Sequence, residues 1–253
     1  LTATNTGTGF GNQYTWNPGS LTGANVSVAP ATSTMYYVTA TANGSTCSSN
    51  DSVMITVNPA PPAITGTLRV CVSGSTVLTM TPTGSGVWSS SNTGLATVGS
   101  SSGIVTGVSA GNPTISYTLP AGCFSITNLT VNALPTVFNV TGGGAYCSGG
   151  TGVPVGLSNS VSGINYQLFL GTVAIGSPLA GNGLALNFGL QTAAGTYMVV
   201  ATSTTTSCTD TMYTTTDVVI NPLPTAMNVT GGGSYCPGGT GVNVAIDGSE
   251  AGV

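Results

Sequence analysis

One segment of this chain occurs twice, 89 residues apart, and it limits the possible folds more than any other feature. Residues 139–144 read Asn-Val-Thr-Gly-Gly-Gly, and residues 228–233 read the same. In both copies a Tyr-Cys pair follows, and then the run Gly-Gly-Thr-Gly-Val. Self-similarity at a fixed period is typical of arrays built from one repeated structural unit. We therefore expect several tandem domains.

Three similar junctions place the predicted boundaries between these domains. Each is a short apolar run that ends in Asn and then Pro, at residues 55–61, 129–135 and 218–224. Proline has no backbone N–H for a sheet ladder and fixes φ, so it ends a strand and stiffens a linker. We call the resulting parts the first to fourth segments: residues 1–58, 60–133, 134–222 and 223–253.

The residue types favour strands. Thr and Val, which suit a pleated surface, are abundant, whereas only six of 253 residues are charged and the exposed helix formers Lys, Glu and Arg are almost absent. Short β-branched runs alternate with Gly, Asn and Ser turns. The prediction is an all-β chain of tandem β-sandwiches with essentially no helix.

The same composition weighs against several functions. With one Arg and no Lys, the chain cannot neutralise a phosphate backbone, so we expect no nucleic-acid partner. No run of 18 apolar residues exists, so we expect no membrane span. There is no His, hence no imidazole base, and Asp210 and Asp217 are the only neighbouring carboxylates in a complete segment. We expect no enzyme activity, no catalytic residue, no metal site and no cofactor.

The six cysteines indicate disulfides. Cys71 and Cys147 come early in the second and third segments, and Cys123 and Cys208 come late. One bond between an early and a late strand is the immunoglobulin-type arrangement, so we expect the pairs Cys71–Cys123 and Cys147–Cys208. Zinc is disfavoured because the chain has neither a C-x-x-C pair nor His. Disulfides imply an oxidising compartment and therefore secretion.

Cys47 and Cys236 lack partners under this scheme. Aligning residues 1–7 with residues 78–84 places the partner of Cys47 before Leu1, and the partner of Cys236 is expected after Val253. We therefore expect the first and fourth segments to be incomplete and the chain to be part of a longer array. The alternative is a Cys236–Cys47 bond between neighbouring copies that donate strands to each other. Residues 241–247 and 1–5 would then supply the same strand, which counts against this alternative.

Residues 86–117 carry a resemblance to a known family. They contain the runs Trp-Ser-Ser-Ser-Asn, Ala-Thr-Val, Gly-Ile-Val-Thr-Gly-Val and Ile-Ser-Tyr in that order. This pattern resembles the bacterial Ig-like domain of group 2. The first segment, with its Tyr-Thr-Trp run ending at Trp16, is similar to related Ig-like or PKD-like repeats. The third and fourth segments resemble repeats of very large secreted proteins of the Bacteroidetes.

The resemblance implies an immunoglobulin-like sandwich in a secreted, extracellular or cell-surface protein, exported through a type IX route. It also implies that Trp16 and Trp88 are core aromatics, since the tryptophan on the third strand of such domains packs inside the sandwich. A remaining possibility for both is contact with a sugar ligand.

Two short motifs predict modification. The sequences Asp-Ser-Val at Ser52 and Asp-Thr-Met at Thr211 resemble the O-glycosylation motif of the Bacteroidetes. The alternative is chance, because in a chain so rich in Thr an acidic residue is often followed by a hydroxyl residue.

Together these features predict a non-catalytic structural module of an extracellular fibre, filament or long cell-surface stalk. Its partners would be further copies of itself or further modules of the same long chain. One alternative is an adhesin that binds surface glycans or other surfaces. A third hypothesis is a set of accessory domains of a large secreted enzyme.

Overall fold

The computed structural model describes residues 1–4, 11–81 and 85–249. Within those ranges the chain forms strands, turns and loops and no helix, and accordingly no helix there could cross a membrane. Two compact units, Leu1–Val131 and Asn132–Val253, make up the chain. The all-β prediction is confirmed. The physical reason is that β-branched residues, which favour strands, and turn-forming residues dominate the sequence.

The first segment forms one antiparallel sheet in the order β2-β1-β3-β4. Trp16 on β1 lies opposite Val38 on β3, and it is 2% exposed. Its indole Nε1–H donates a hydrogen bond to the carbonyl oxygen of Gly23 at 2.9 Å, which satisfies the one polar group of this buried ring. The strands are β1 (Asn12–Asn17), β2 (Leu21–Thr22), β3 (Thr34–Ala42) and β4 (Ser48–Ile55).

The second segment contains two main sheets, in the orders β5-β7-β10-β9 and β12-β11-β8, and a short β13-β6 pair. If strands β5, β7, β8, β9, β10, β11 and β12 are lettered A to G in chain order, the first sheet is ABED and the second is GFC. These are the two sheets of a constant-type immunoglobulin domain. The strands are β5 (Thr65–Gly66), β6 (Arg69–Cys71), β7 (Ser75–Thr79), β8 (Val87–Ser90), β9 (Ala96–Val98), β10 (Ile104–Gly107), β11 (Thr114–Thr118), β12 (Phe124–Asn128) and β13 (Thr130–Asn132).

The core of the second segment lies between these two sheets. Leu78 on β7 and Val105 on β10 come from one sheet, and Ile115 and Tyr117 on β11 come from the other. On β11 every second residue is buried, because successive side chains of a strand point to opposite faces. Trp88 is 6% exposed and packs edge-on against Tyr117, with ring centroids 4.9 Å apart.

The third segment repeats this plan with longer strands. Its sheets have the orders β14-β16-β19 and β15-β22-β20-β17-β18, and β21 also pairs with β20. The strands are β14 (Val140–Gly142), β15 (Gly144–Cys147), β16 (Val153–Leu157), β17 (Ile164–Leu170), β18 (Val173–Ala180), β19 (Leu186–Gln191), β20 (Gly195–Ser203), β21 (Thr209–Thr211) and β22 (Thr216–Asn221).

The first strand of the third segment changes sheets at three glycines. β14 pairs with β16 in one sheet, and β15 pairs in parallel with the last strand, β22, in the other. Gly142 has φ of +82°, and a Cβ there would lie 2.1 Å from the carbonyl oxygen of Pro154. Only glycine fits both constraints. The core between the sheets contains Tyr166 and Val199.

The fourth segment repeats the beginning of the third in the same register. β23 (Val229–Gly231) pairs with β24 (Val244–Ile246) so that Val229 lies opposite Ile246. The residues 89 positions earlier, Val140 and Leu157, are paired in the same way. Val140 and Leu157 are buried, whereas Val229 and Ile246 are 72% and 57% exposed. Each sheet of the structure lies within one of the four predicted segments, whose exact boundaries stay a prediction.

Candidate functional site

The late cysteines, Cys47, Cys123 and Cys208, occupy one equivalent position in three segments. Each follows the turn after one of the long strands β3, β11 and β20. Its carbonyl oxygen accepts a hydrogen bond from the backbone amide of a residue at or next to the end of that strand. The donors are the amides of Ala42, Leu119 and Ser203, at 3.1, 2.8 and 2.9 Å respectively.

The early cysteines, Cys71, Cys147 and Cys236, share a second position. Each begins a tight turn in which its carbonyl oxygen accepts a hydrogen bond from the amide of the glycine three residues later. These glycines are Gly74, Gly150 and Gly239, each at 2.9 Å. The spacing Cys-x-x-Gly is therefore the sequence signal of this turn, a signal that is absent from the predicted pairing of the cysteines.

In the second segment the two cysteines lie at opposite ends of the sandwich. Cys123 follows the turn at the far end of β11, where it is hydrogen-bonded to Leu119. Cys71 lies at the other end, because a Cβ on Gly107 would be within 3 Å of both the Cys71 carbonyl oxygen and the Val131 side chain. Val131 in turn pairs with Gly111, which precedes β11.

The third segment has the same arrangement. Cys147 lies opposite Asn221 at the end of the parallel β15–β22 pair. Cys208 lies at the other end of β20, where its carbonyl oxygen accepts a hydrogen bond from the Ser203 amide. β22 meets β20 at Gly195, which is eight residues before Ser203, or about 26 Å at the rise of a strand.

The predicted pairs Cys71–Cys123 and Cys147–Cys208 are not formed. The disulfide-bonded cysteines are Cys71 and Cys208, whereas Cys47, Cys123, Cys147 and Cys236 are free thiols. A disulfide requires Cα atoms within about 7 Å of each other, and the length of the sandwich separates the two cysteines of each segment by several times that distance. The strand order therefore keeps the two cysteines of each segment too far apart for the predicted bonds. Partners for Cys47 and Cys236 outside the chain or in a neighbouring copy stay a prediction.

Ser52 and Thr211, the predicted glycosylation residues, have the same local structure. In each case the preceding Asp accepts a hydrogen bond from the hydroxyl residue's own amide, at 2.7 Å for Asp51 and 2.8 Å for Asp210. Both hydroxyl residues are exposed and lie on the strand that follows a late cysteine. The position is compatible with modification, which stays a prediction.

The two carboxylates of the third segment, Asp210 and Asp217, do not come together. Asp210 lies opposite Ala201, and Asp217 lies opposite Thr196. Their partners on β20 are five positions apart, about 16 Å, and the two carboxylates point to opposite faces of the sheet. Paired glycosidase carboxylates lie within about 10 Å of each other. In the described ranges no group of three or more His, Cys, Asp or Glu is placed to hold a metal ion.

A groove of about 680 Å³ runs along one face of the first-segment sheet. Its lining residues include Tyr14, Trp16 and Val38, together with Asn50 and Asp51. Trp16 and Val38 form a cross-strand pair at the position that Trp88 and Tyr117 occupy in the second segment. The groove therefore corresponds to the core face of a sandwich, which in the second segment is covered by the sheet that contains β7 and β10.

Comparisons with known proteins found likeness in structure. No protein-family model matches the chain, and no curated protein matches. A crystal structure of murine CEACAM1b is 12% identical with a TM-score of 0.33, and the match covers 62% of this chain and 100% of that one. Immunoglobulin domains 1–5 of Sidekick-1 are 13% identical with a TM-score of 0.23, and the match covers 84% of this chain and 52% of that one.

The fold is assigned from the strand order. The second segment has the ABED and CFG sheets, and in the third segment the first strand changes sheets to pair in parallel with the last strand. The fold is all-β and immunoglobulin-like, as the sequence predicted.

Proposed function

We propose that this chain is a non-catalytic structural part of an extracellular fibre, filament or long cell-surface stalk, built from tandem immunoglobulin-like domains. The observation that carries the proposal is the equivalence of the repeats in three dimensions. The pair Val140–Leu157 and the pair Val229–Ile246 have the same register 89 residues apart. A chain that repeats one structural unit along its sequence is suited to forming an extended array.

The surface chemistry supports this proposal. The chain has a formal net charge of −4 from one basic and five acidic residues in 253. So few charges produce little mutual repulsion between neighbouring domains or copies, and contacts between them depend weakly on salt. The single Arg and the absence of Lys also leave one site for trypsin-like proteases, which suits a protein that persists outside the cell.

Secretion is supported by the bonded cysteines. Cys71 and Cys208 are both in a disulfide, and disulfides persist in oxidising compartments. The origin in the Bacteroidetes, the type IX route and glycosylation at Ser52 and Thr211 depend on the resemblance described above. Intact-mass measurement of the native protein tests the glycosylation, since unmodified masses for the peptides that contain these two residues would contradict it.

Electron microscopy of the native material tests the structural role. We expect unbranched fibres or stalks of uniform width, with a periodicity along their length that matches one domain. Isolated globular particles at all protein concentrations would contradict the proposal. Because imaging reports length and width directly, it does not depend on how the cysteines pair.

The groove of the first segment favours adhesion as a second candidate function. Tyr14 and Asn50 lie in the groove, and an aromatic ring beside polar groups is the kind of surface to which a sugar binds. A glycan array with the purified chain tests this function, with Tyr14→Ala as the variant and Tyr213→Ala, an exposed tyrosine of the third segment, as the control. Saturable binding that only Tyr14→Ala removes would support an adhesin, and no binding at all would reject it.

A further inference from the structure

The turn between β3 and β4 contains one of the two Asn-Gly pairs of the chain, Asn43 with Gly44. Two backbone hydrogen bonds close this turn. The Ser45 amide donates to the carbonyl oxygen of Ala42 at 3.1 Å, and the Ala42 amide donates to that of Cys47 at 3.1 Å. Gly44 has φ of +75°, which glycine adopts without strain. Asn43 and Gly44 therefore occupy the centre of a tight hairpin turn, where this pair is common.

The Asn43 carboxamide and the backbone amide of Gly44 are adjacent and unanchored. Both residues are exposed. Within residues 1–4, 11–81 and 85–249, no group forms a hydrogen bond with the Asn43 side chain or with the Gly44 amide. The Asn43 side-chain nitrogen faces Gly11, at 3.1 Å from where a Cβ on that glycine would lie. The carboxamide is therefore free to rotate towards the backbone nitrogen that follows it.

The other Asn-Gly pair, Asn182 with Gly183, is held by its surroundings. The side-chain oxygen of Asn182 accepts a hydrogen bond from the Leu184 amide at 2.9 Å and a longer one from the Ser160 hydroxyl at 3.2 Å. The Asn182 amide donates to the Ser160 hydroxyl oxygen at 3.1 Å, and Ser160 is buried. Rotation of the Asn182 carboxamide therefore breaks hydrogen bonds that the Asn43 carboxamide does not have.

We propose that Asn43 is a site of spontaneous deamidation, at which the turn gains a carboxylate with time. The deprotonated Gly44 amide nitrogen attacks the Asn43 Cγ. The new C–N bond closes a five-membered succinimide ring, and the side-chain nitrogen takes up the proton lost by Gly44 and leaves as ammonia. Water then adds to either carbonyl carbon of the ring and opens it, which gives aspartate or isoaspartate. Water is the co-reactant, and no atom is oxidised or reduced.

The product changes the chemistry of the first segment. Asp51 is the one charged side chain of residues 1–58, so a carboxylate at position 43 doubles the side-chain charge of this segment. Ala42 and Cys47, which flank the turn, line the groove together with Asp51, so the new charge forms at one end of that groove. Isoaspartate also adds a methylene group to the backbone of the turn. The reaction does not depend on what the array is used for.

Peptide mass mapping tests the site. The full 253-residue chain is incubated at mildly alkaline pH in water labelled with heavy oxygen, which marks the product formed during incubation. Cleavage after methionine with cyanogen bromide in acid stops the reaction and places Asn43 in peptide 36–54 and Asn182 in peptide 81–198. We expect labelled aspartate and isoaspartate at position 43. Deamidation at Asn182 should be about tenfold slower, because hydrogen bonds of ordinary net strength must break there.

Two controls separate the structure of the turns from the Asn-Gly sequence itself. In denaturant the hydrogen bonds of Asn182 are lost, so the two sites should react at similar rates. Gly44→Ala puts a methyl group beside the attacking nitrogen and should slow the reaction at Asn43. None of the described residues has an atom within 4 Å of a Cβ at Gly44, so we expect this variant to fold.

Three results would each overturn the proposal. They are equal rates at Asn43 and Asn182 in the folded chain, aspartate without isoaspartate at position 43, and an unchanged rate in Gly44→Ala. The imaging test of the fibre would be unaffected by any of them.

Discussion

The thiol of Cys123 lies 3.7 Å from the carbonyl oxygen of Asn58. Asn58 belongs to the residues that connect the first segment to the second, so this contact fixes the end of the second sandwich at which its late cysteine lies. The two positions are 65 residues apart in the sequence, which is nearly the length of a whole domain. The contact shows that the turn between the last two long strands returns to the point where the domain starts.

Cys123 is predicted to react more slowly with alkylating reagents than Cys47. Both occupy the same turn position, but Cys47 is exposed and Cys123 is partly buried beside Asn58. Mass spectrometry after short exposure to iodoacetamide measures both rates in one sample. In denaturant the two rates should become equal, and equal rates in the folded chain would contradict the contact.

Trp88→Ala should destabilise the second segment by about 3–5 kcal/mol, because it leaves a cavity beside Tyr117 in the core. Phe124→Ala is the control: Phe124 is an aromatic residue of the same segment but is 61% exposed, and we expect a change within about 0.5 kcal/mol. Hydrogen exchange of the β11 amides measures both. Similar effects of the two substitutions would show that Trp88 is not a core residue.

Gly142→Ala should destabilise the third segment more than Gly183→Ala does. The two glycines have nearly the same φ, +82° and +83°, so both variants carry about 1–2 kcal/mol of backbone strain. A Cβ at Gly142 would also collide with the Pro154 carbonyl oxygen, whereas none of the described residues has an atom within 4 Å of a Cβ at Gly183. We expect the collision to add about 1–3 kcal/mol, measured by chemical unfolding.

Asp247 should titrate below its ordinary pKa of 3.8, because its carboxylate accepts hydrogen bonds from the Asn228 side chain and amide at 2.8 and 2.9 Å. Because the pKa is lower in the folded chain, the ionised carboxylate stabilises the β23–β24 pair, and this contribution is fully present at pH values above the unfolded-state pKa. This contribution disappears as pH falls through the folded-state pKa.

Asn228→Ala tests this assignment. The variant removes the side-chain donor and keeps the backbone donor, so the pKa of Asp247 should rise part of the way towards its ordinary value. Carbon-detected NMR titration of the carboxylate measures it in both proteins. An unchanged pKa in the variant would assign the shift to a cause other than Asn228.

Much of the fold could be predicted from residue types and repeats. The β-branched runs indicated strands, and the copied run at residues 139–144 and 228–233 corresponds to strand pairs in one register. Trp16 and Trp88, expected to be core residues, are 2% and 6% exposed. These features are local, because they depend on alternation along a strand or on a motif read in one stretch of sequence.

The disulfide pairing could not be predicted from cysteine spacing, because spacing does not show at which end of a sandwich a residue lies. Cys147 is placed by a parallel pairing with Asn221, 74 residues away. The turn at Gly150 was readable as Cys-x-x-Gly, but its location depends on the change of sheets at Gly142. The positions of the cysteines within each sandwich therefore depend on topology.

Single-molecule stretching of the reduced chain from its two termini tests most directly whether this array bears load as a series of separate domains. The second and third segments have separate hydrophobic cores, so we expect a separate unfolding event for each, with a gain in length of at most about 3.3–3.6 Å per residue released. A single unfolding event for both segments would contradict the account.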